Sequence, residues 1–425
     1  MNPYNVRLLV FSSGERFYVL QRRATGEPLF EPTLFVTNVA RANGLASATI
    51  KQVLTSIMVL QLALDSLNID IETRLSEGRL LDLYEVEAII GYCRKAVASM
   101  VAEPGAVRVT SAARVVSLEK VRMKSAVATE TELVDAQTTG VRVRYIRDYL
   151  DWLAKKRELR IGPAHPQYAG LSSVRALIHG AFTERVPKVF AKDEDDQRQG
   201  LSAEQMAKLR TVITPSSLQN PWKGAATKIR NELIVEYLIS LGFRAGELLG
   251  IRIPNIDFQA NEVAIKRHAD EVKDTRSREP NTKTRARAVP VSDDLVTKTQ
   301  YYITRVRARQ GAARKHDWLF VANGTGMPLS LSAVNKIFDD LKAACSGLPA
   351  DLTPHILRHS WNDAFTALMD EKKVPEEQEI KMRNELMGWS PKSKTAATYT
   401  RRVTRKKAKE AARELQLGLK GPVKV

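Results

Sequence analysis

Four short patterns in the C-terminal half of the chain contain side chains that could act on a phosphate ester. In the first, Arg244 follows the helix-stopping Gly242, and Glu247 lies three residues further on, where it can hold the guanidinium. Such a pair is typical either of an anion site or of a salt bridge at a helix end. In the second, NTKTRARAVPV, Lys283 lies on a predicted hairpin. A lysine there can deliver a proton or a point charge to a phosphate oxygen, although a generic basic loop has the same composition.

The third pattern is TPHILRHSW, in which Thr353 and Pro354 begin a predicted helix. His355 and Arg358 share one helical face, which places a hydrogen-bond donor beside a guanidinium fork suited to a phosphate. His355 and His359 are also spaced as metal ligands. The cationic Arg358 between them and the missing glutamate of H-E-x-x-H disfavour a divalent ion, so no metal site is predicted.

The fourth pattern, LMGWSPKSKTAATYTRR, places Trp389 after a glycine and Tyr399 in a basic segment. A tyrosine in this setting can be a nucleophile, a stacking platform for a base or an ordinary surface residue. Each of the four patterns alone is weak evidence for a phosphate-ester site. The order in which they follow one another along the chain makes the combination specific.

Composition indicates the class of partner. The 425 residues carry 66 Lys and Arg against 48 Asp and Glu, a net charge of +18. This surplus is typical of proteins that bind a polyanion, most often nucleic acid, although an ordinary basic protein can reach it. Two distant cysteines exclude a disulfide framework and a cysteine zinc site. Without a secretory leader or roughly 18 consecutive apolar residues, a cytoplasmic protein with no membrane anchor is expected.

Hydrophobic periodicity predicts a mainly α fold with a small antiparallel β-sheet. The predicted domains are a β-hairpin appendage at 1–27, a helical domain at 28–187 with an insertion near 102–136, a linker at 188–200 and a second domain at 201–425. Predicted helices cover 33–67 (as two), 81–97, 141–155, 226–241 and 331–341. Predicted strands lie at 256–258, 262–266 and 286–291, with a long, charged hairpin between the last two.

These residues together resemble the catalytic set of the tyrosine recombinases, also called phage integrases. That family's set runs Arg, Lys, His-x-x-Arg, His or Trp, Tyr, and the chain supplies, in this order, Arg244, Lys283, His355, Arg358, Trp389 and Tyr399. The resemblance is firm from about 202 to 404. The helices at 28–187 resemble, less specifically, the family's core-binding domain.

The resemblance implies an α+β catalytic domain joined to a helical core-binding domain, the two forming a C-shaped clamp on DNA. It implies that Tyr399 attacks a DNA phosphodiester to give a 3′-phosphotyrosine, and that neither cofactor nor metal is needed. Arg244 and Arg358 would clamp the phosphate, with His355 and Trp389 donating to it. Lys283 would protonate the departing 5′ oxygen, and Glu247 and His359 would orient the set.

Two departures from the family pattern matter. Trp389 stands where histidine is common, and its indole can donate one hydrogen bond but cannot accept or shuttle a proton. The hairpin before Lys283 is longer than usual, so Lys273 remains an alternative for the catalytic lysine.

The resemblance also predicts the partners: double-stranded DNA, a homotetramer on paired sites, and possible DNA-bending accessory proteins, with nucleoid association when the protein is bound. The predicted DNA-binding side chains are basic residues of the two domains: Arg142, Arg144, Arg147, Arg285 and Arg287. Integration or excision of a mobile element is the expected role. A type IB topoisomerase and a non-catalytic DNA-binding protein on the same fold are the alternatives.

Overall fold

The computed structural model describes residues 2–101, 132–188, 200–268, 270–280, 282, 284–393, 395–396, 399, 408–409 and 411–416. The chain separates into two compact units, residues 1–11 with 16–191, and residues 12–15 with 192–425. Each unit has its own hydrophobic core. Most of the predicted insertion and most of the predicted linker lie outside the described residues.

The first unit combines an antiparallel hairpin with helices. Its elements are β1 (Tyr4–Val10), β2 (Arg16–Arg22), α1 (Phe30–Phe35) with a π-helical turn at Val36–Arg41, α2 (Ser47–Leu67), α3 (Ile71–Ser76), α4 (Leu83–Arg94), α5 (Ala136–Ile161) and α6 (Tyr168–Glu184). Leu20 of β2 is fully buried in the same core as Ile57 of α2 and Ile146 of α5. The predicted appendage is therefore corrected: the hairpin is a layer of this unit's core.

Helix α2 is the central element of the first unit. It is long and apolar enough to cross a membrane, but 61% of the apolar window is buried inside the protein. Ile50, Val53, Leu54 and Ile57 recur at helical spacing and face the core, and the helix ends where Asn68 adopts a left-handed conformation. The burial is that of a core helix.

The second unit is a helical domain with a three-stranded antiparallel sheet. Its elements are α7 (Ala203–Ile213), α8 (Ala225–Leu241), α9 (Ala245–Leu249), β3 (Ile256–Asp257), β4 (Glu262–Ile265), β5 (Arg287–Pro290), α10 (Asp293–Tyr301), α11 (Leu331–Ala344), α12 (Pro354–Glu371) and α13 (Glu376–Met387). The strand order is β3-β4-β5. Short 3₁₀ segments of this unit lie at Ile253–Asn255, Arg307–Arg309 and Gly311–Lys315, and a π-helical segment lies at Tyr302–Val306. A further 3₁₀ segment, Ser99–Val101, belongs to the first unit.

Helices α8 and α12 form the centre of the second unit. Ile234, Leu238 and Leu241 of α8 share a core with Ile356 and Leu357 of α12. A smaller cluster lies beside it and contains Met387, Trp389 and Tyr399, with Trp361 packed against it. The candidate tyrosine is therefore part of a packed layer.

The mainly α fold with small antiparallel sheets is confirmed in the described residues. Helix α5 extends beyond the predicted span at both ends. Its earlier start is explained by Asp135, which caps the helix and accepts from the Thr138 amide. The charged segment between β4 and β5 is anchored by Arg276, a buried residue that pairs with Asp274 and donates to the carbonyl of Leu249. The segment is thus held to the domain by an internal contact.

Candidate active site

Glu247 is the hub of the site, because its buried carboxylate collects four partners. Its Oε1 lies 3.2 Å from Nη1 of Arg244 and accepts from the Thr284 hydroxyl at 2.6 Å. Its Oε2 lies 3.2 Å from Nη2 of Arg287 and 3.6 Å from Nη1 of Arg358. One anion thus holds three cations from α9, β5 and α12 in a single cluster.

The turn at Gly242 positions Arg244 and Arg358, the two arginines predicted to clamp a phosphate. Gly242 ends α8 with φ of +60°, and a Cβ there would meet the Trp361 ring at 2.8 Å. Its carbonyl accepts from Nη1 of Arg358 at 2.6 Å. Arg244 follows as the N-cap of α9, with its amide donating to Glu247. Only glycine combines this left-handed backbone with the close approach of the indole.

Two buried donors next to this cluster have no hydrogen-bond acceptor among the described residues: Nη2 of Arg358 and Nε1 of Trp389. The Arg358 guanidinium lies over the Trp389 ring, 5.3 Å from its centroid. Buried donors are normally satisfied, and an unsatisfied one is costly. Two of them on side chains that contact each other indicate a place for an oxyanion.

Tyr399 packs against both the Trp389 indole and the guanidinium of Arg383. The rings of Tyr399 and Trp389 are stacked, with centroids 6.0 Å apart and planes 9° from parallel. The Arg383 guanidinium lies 5.5 Å from the Tyr399 centroid. Tyr399 is 8% exposed, so its phenol is held in a packed slot.

The two histidines of α12 lie in contact, and one of them reaches the tyrosine. His355 and His359 have ring centroids 4.5 Å apart, and His359 lies 5.6 Å from the Tyr399 ring. His355 is exposed and His359 is half-buried. The imidazoles therefore lie between solvent and the phenol.

Burial sets the direction of the pKa shifts in the site. It raises the pKa of the Tyr399 phenol, opposed by the charges of Arg358, Arg383 and Arg244. It lowers the pKa of Arg358 to about 10, helped by the nearby Arg244, which leaves Arg358 charged at neutral pH. For Glu247, burial raises the pKa but Arg287 and Arg358 outweigh it, so the net shift is downward and the carboxylate stays ionised.

The loop after α13 is tied to the sheet through Gly388. Its φ is +64°, and a Cβ there would lie 2.8 Å from Nη1 of Arg287 and 2.9 Å from the Arg285 carbonyl. The Arg285 amide donates to the Gly388 carbonyl, and its guanidinium to the Trp389 carbonyl at 2.9 Å. This junction fixes Trp389 against the segment that follows Lys283.

Comparison with known proteins assigns the second unit to a family. A family model described as the phage integrase family matches residues 201–405. Residues 201–405 belong to the phage integrase family.

The phage integrase domain is similar to curated tyrosine recombinases. Tyrosine recombinase XerD of Chlorobaculum tepidum is 29% identical over 195 residues, which cover 45% of this chain and 58% of that protein. Tyrosine recombinase XerC of Yersinia pestis is 24% identical over 226 residues, which cover 53% of this chain and 58% of that protein. The chain thus spans little more than half the length of these relatives.

Two solved structures are also similar to this chain at low identity. The XerA recombinase is 15% identical with a TM-score of 0.34, covering 87% of this chain and 91% of its own. The Tn1549 transposon integrase in complex with circular intermediate DNA is 16% identical with a TM-score of 0.40, covering 80% of this chain and 94% of its own.

The integrase domain brings together Arg244, Glu247, Arg358, Trp389 and Tyr399, with His355 and His359 in contact beside them. Lys283 lies outside the described residues. Its neighbour Thr284 donates a hydrogen bond to Glu247, so Thr284 itself lies at the site. Lys273 is exposed, and its backbone amide donates a hydrogen bond to the Glu271 carboxylate. Lys283 therefore stays the preferred lysine as a prediction.

Two arginines predicted to bind DNA are corrected. Arg287 is buried against Glu247 and donates to the Leu386 carbonyl, so it holds the site together from inside. Arg142 is buried in the first unit and donates to the carbonyls of Cys93 and Lys95. Both guanidinium groups are buried and donate to internal acceptors.

The remaining predicted DNA contacts lie on accessible positions. Arg144 is exposed, and Arg147 is half-buried and paired with Asp148. The Arg285 side chain is half exposed beside Glu385. These three stay predictions.

Sequence reasoning missed Arg383, which is fully buried beneath Tyr399. A signal was present, because Arg383 stands between Ile380 and Met387 at positions where helical spacing favours apolar side chains. Glu379, four residues earlier, is the counter-ion that such a buried charge needs.

Proposed function

We propose that this protein is a site-specific DNA recombinase that cuts and rejoins strands through a 3′-phosphotyrosine intermediate. The observation that carries the proposal is the position of Tyr399 beside two buried donors without described acceptors, on Arg358 and Trp389. Such an arrangement fits a phosphodiester whose non-bridging oxygens gain charge during an in-line displacement.

In the proposed cleavage step, the Tyr399 oxygen forms a bond to phosphorus while the bond from phosphorus to the 5′ oxygen breaks. The phenol proton passes to a base, for which His355 is the candidate, and the 5′ oxygen takes a proton from Lys283. Arg244 and Arg358 neutralise the charge on the phosphate. The phosphotyrosine keeps the energy of the broken bond, so a 5′ hydroxyl from another strand can reverse the reaction.

Double-stranded DNA is the proposed substrate, and the charge of +18 supports it. If binding neutralises Z phosphates, log K should fall against log salt with a slope of about −0.9Z. Integration or excision of a mobile element is the proposed context, with an intracellular, nucleoid-associated location.

A homotetramer on paired sites is part of the proposal. The described residues 408–409 and 411–416 are helical and exposed, and Leu415 is 65% exposed. Leu415 lies in the basic segment RRVTRKKAKEAARELQLGLK that follows Tyr399. An exposed apolar residue there supports docking of this segment on a neighbouring protomer. Accessory DNA-bending proteins remain a further proposal.

Covalent trapping tests the proposed chemistry. Wild-type protein and the Tyr399→Phe variant are incubated without metal on nicked duplexes tiled from the ends of the encoding DNA element. A denaturant-resistant adduct formed by the wild type at a defined position, and lost in the variant, is expected. Salt-sensitive binding without any adduct would support the non-catalytic alternative, and adducts without site preference would support a topoisomerase.

A further inference from the structure

Arg383 is a fully buried cation with no part in the proposed chemistry. It belongs to α13, and its side chain is 0% exposed. It forms an ion pair with Glu379, one turn earlier, and donates to the Thr366 hydroxyl. It also donates to the Asn362 carbonyl at 3.3 Å. A buried ion pair is weak evidence for stability, because apolar residues of similar volume often serve as well.

The surroundings of Arg383 form a stack that leads to the nucleophile. The Cζ atom of its guanidinium lies 5.0 Å from the centroid of the Phe365 ring and 5.5 Å from the centroid of the Tyr399 ring. Trp389 stacks on Tyr399 in turn. A guanidinium within about 6 Å of a ring centroid is attracted to the ring, and more strongly where water is excluded.

Within the described part of the chain, the hydrogen bonds of Arg383 involve only its two terminal nitrogens. Its two terminal nitrogens reach Glu379, Thr366 and Asn362, whereas its Nε has no acceptor among the described residues. Glu379 in turn accepts from the Thr366 hydroxyl at 2.9 Å. The carboxylate is therefore shared between Arg383 and Thr366 of α12, and the guanidinium also lies over the phenol ring.

We propose that Arg383 is a positioning residue that holds the Tyr399 ring against Trp389 and stabilises the phenolate as it forms during strand cleavage. This inference rests on the proposed role of Tyr399 as the nucleophile. A neutral phenol gains a modest cation–π attraction, and a phenolate gains a charge–charge attraction that the paired Glu379 offsets only in part, so the contact favours the transition state over the ground state.

Other groups also surround the phenol. The charges of Arg244 and Arg358 act on it, the rings of His359 and Trp389 contact it, and the Glu379 carboxylate is paired with Arg383. Arg244 and Arg358 lie at the phosphate clamp and would be partly neutralised by bound DNA. Arg383 is held by α12 and α13 instead, so its charge remains when the phosphate binds.

The test uses the paired variant Glu379→Gln with Arg383→Met, because removing Arg383 alone would leave an uncompensated buried carboxylate. Single-turnover adduct formation on nicked duplexes is measured against pH. The paired variant should be slower at neutral pH by about tenfold, with the alkaline rise moved up by roughly one pH unit, because one pKa unit corresponds to a tenfold change in the ionised fraction. Arg383→Lys should restore part of the shift.

A matched control separates positioning from simple stability. Arg230 is another buried arginine of the same domain, bonded to Asn231 and to the Val321 carbonyl. Arg230→Met should lower the melting temperature without moving the pH profile. If the paired variant cleaves more slowly but keeps the wild-type pH profile, Arg383 is only structural and the inference is wrong.

A second readout does not depend on catalysis. Phenolate absorbance is titrated in the wild type and the paired variant, each with and without Tyr399→Phe, so that the difference isolates Tyr399. The inference predicts ionisation at higher pH in the paired background, and equal curves would overturn it. If the phenolate titration differs between the wild type and the paired variant but the wild type forms no adduct, the proposed function has failed. The contact between Arg383 and Tyr399 would still stand.

Discussion

The indole of Trp389 and the phenol ring of Tyr399 lie face to face, with centroids 6.0 Å apart and planes 9° from parallel. The Arg358 guanidinium covers the Trp389 ring, 5.3 Å from its centroid. The indole therefore has two separable roles: its ring packs against Tyr399 and Arg358, and its buried N–H has no acceptor among the described residues.

Trp389→Phe should separate these roles, because phenylalanine keeps an aromatic ring and lacks the N–H donor. Loss of one donor to a transition-state oxyanion lowers the rate on the order of 10²-fold. Single-turnover cleavage should fall by about that factor, with DNA affinity little changed. Trp389→His, which restores a donor, should recover part of the rate, and a variant as slow as Trp389→Phe would argue against the donor role.

Glu247→Gln should disrupt the cluster more than a change to any single arginine. The substitution leaves Arg287 and Arg358 buried without their anion, which costs roughly 3–5 kcal/mol of unfolding free energy when a buried pair is broken. Urea denaturation measures this cost. The control is Glu377→Gln, because Glu377 forms an exposed pair with Lys381 and should cost about 0.5 kcal/mol or less. Equal losses would show that Glu247 is not the hub.

Cleavage should accelerate with pH. Because burial raises the pKa of Tyr399, its phenol is protonated at neutral pH, and the ionised fraction grows as pH rises. Adduct formation should therefore increase from about pH 7 to pH 9. A rate that is flat over this range would mean that proton removal from the phenol does not limit cleavage.

Stability should respond to the same group with the opposite sign. A native pKa above the unfolded value contributes stability below the unfolded pKa, near 10, and this contribution is lost as pH rises through the native pKa. Tyr399→Phe should therefore lose less unfolding free energy than the wild type between about pH 9 and pH 11. Denaturant titrations at both pH values measure the difference.

Arg142 and Arg144 should respond differently although they lie two residues apart on α5. Arg142→Met removes donors to the Cys93 and Lys95 carbonyls and should lower the melting temperature with little effect on salt-dependent DNA binding. Arg144→Gln, at an exposed position, should leave the melting temperature unchanged and weaken binding if it contacts a phosphate. A fluorescence binding assay at several salt concentrations checks both variants.

The sequence by itself determined the elements and the types of reactive side chain. Periodicity predicted α8 to within one residue at its start, because apolar spacing and Gly242 are local signals. The order of Arg244, His355, Arg358, Trp389 and Tyr399 needed no coordinates. Their family was indicated by order alone, and the match over residues 201–405 confirms it.

Only the tertiary structure decided which charges are internal. In the sequence, Arg142 and Arg287 cannot be distinguished from exposed arginines. The spacing of apolar residues does not show which carbonyl or carboxylate lies opposite a side chain. The contacts of Glu247 join α9, β5 and α12, which are distant in sequence. Arg383 was missed for the same reason: a buried charge is stabilised by partners on another helix, and those partners are set by packing.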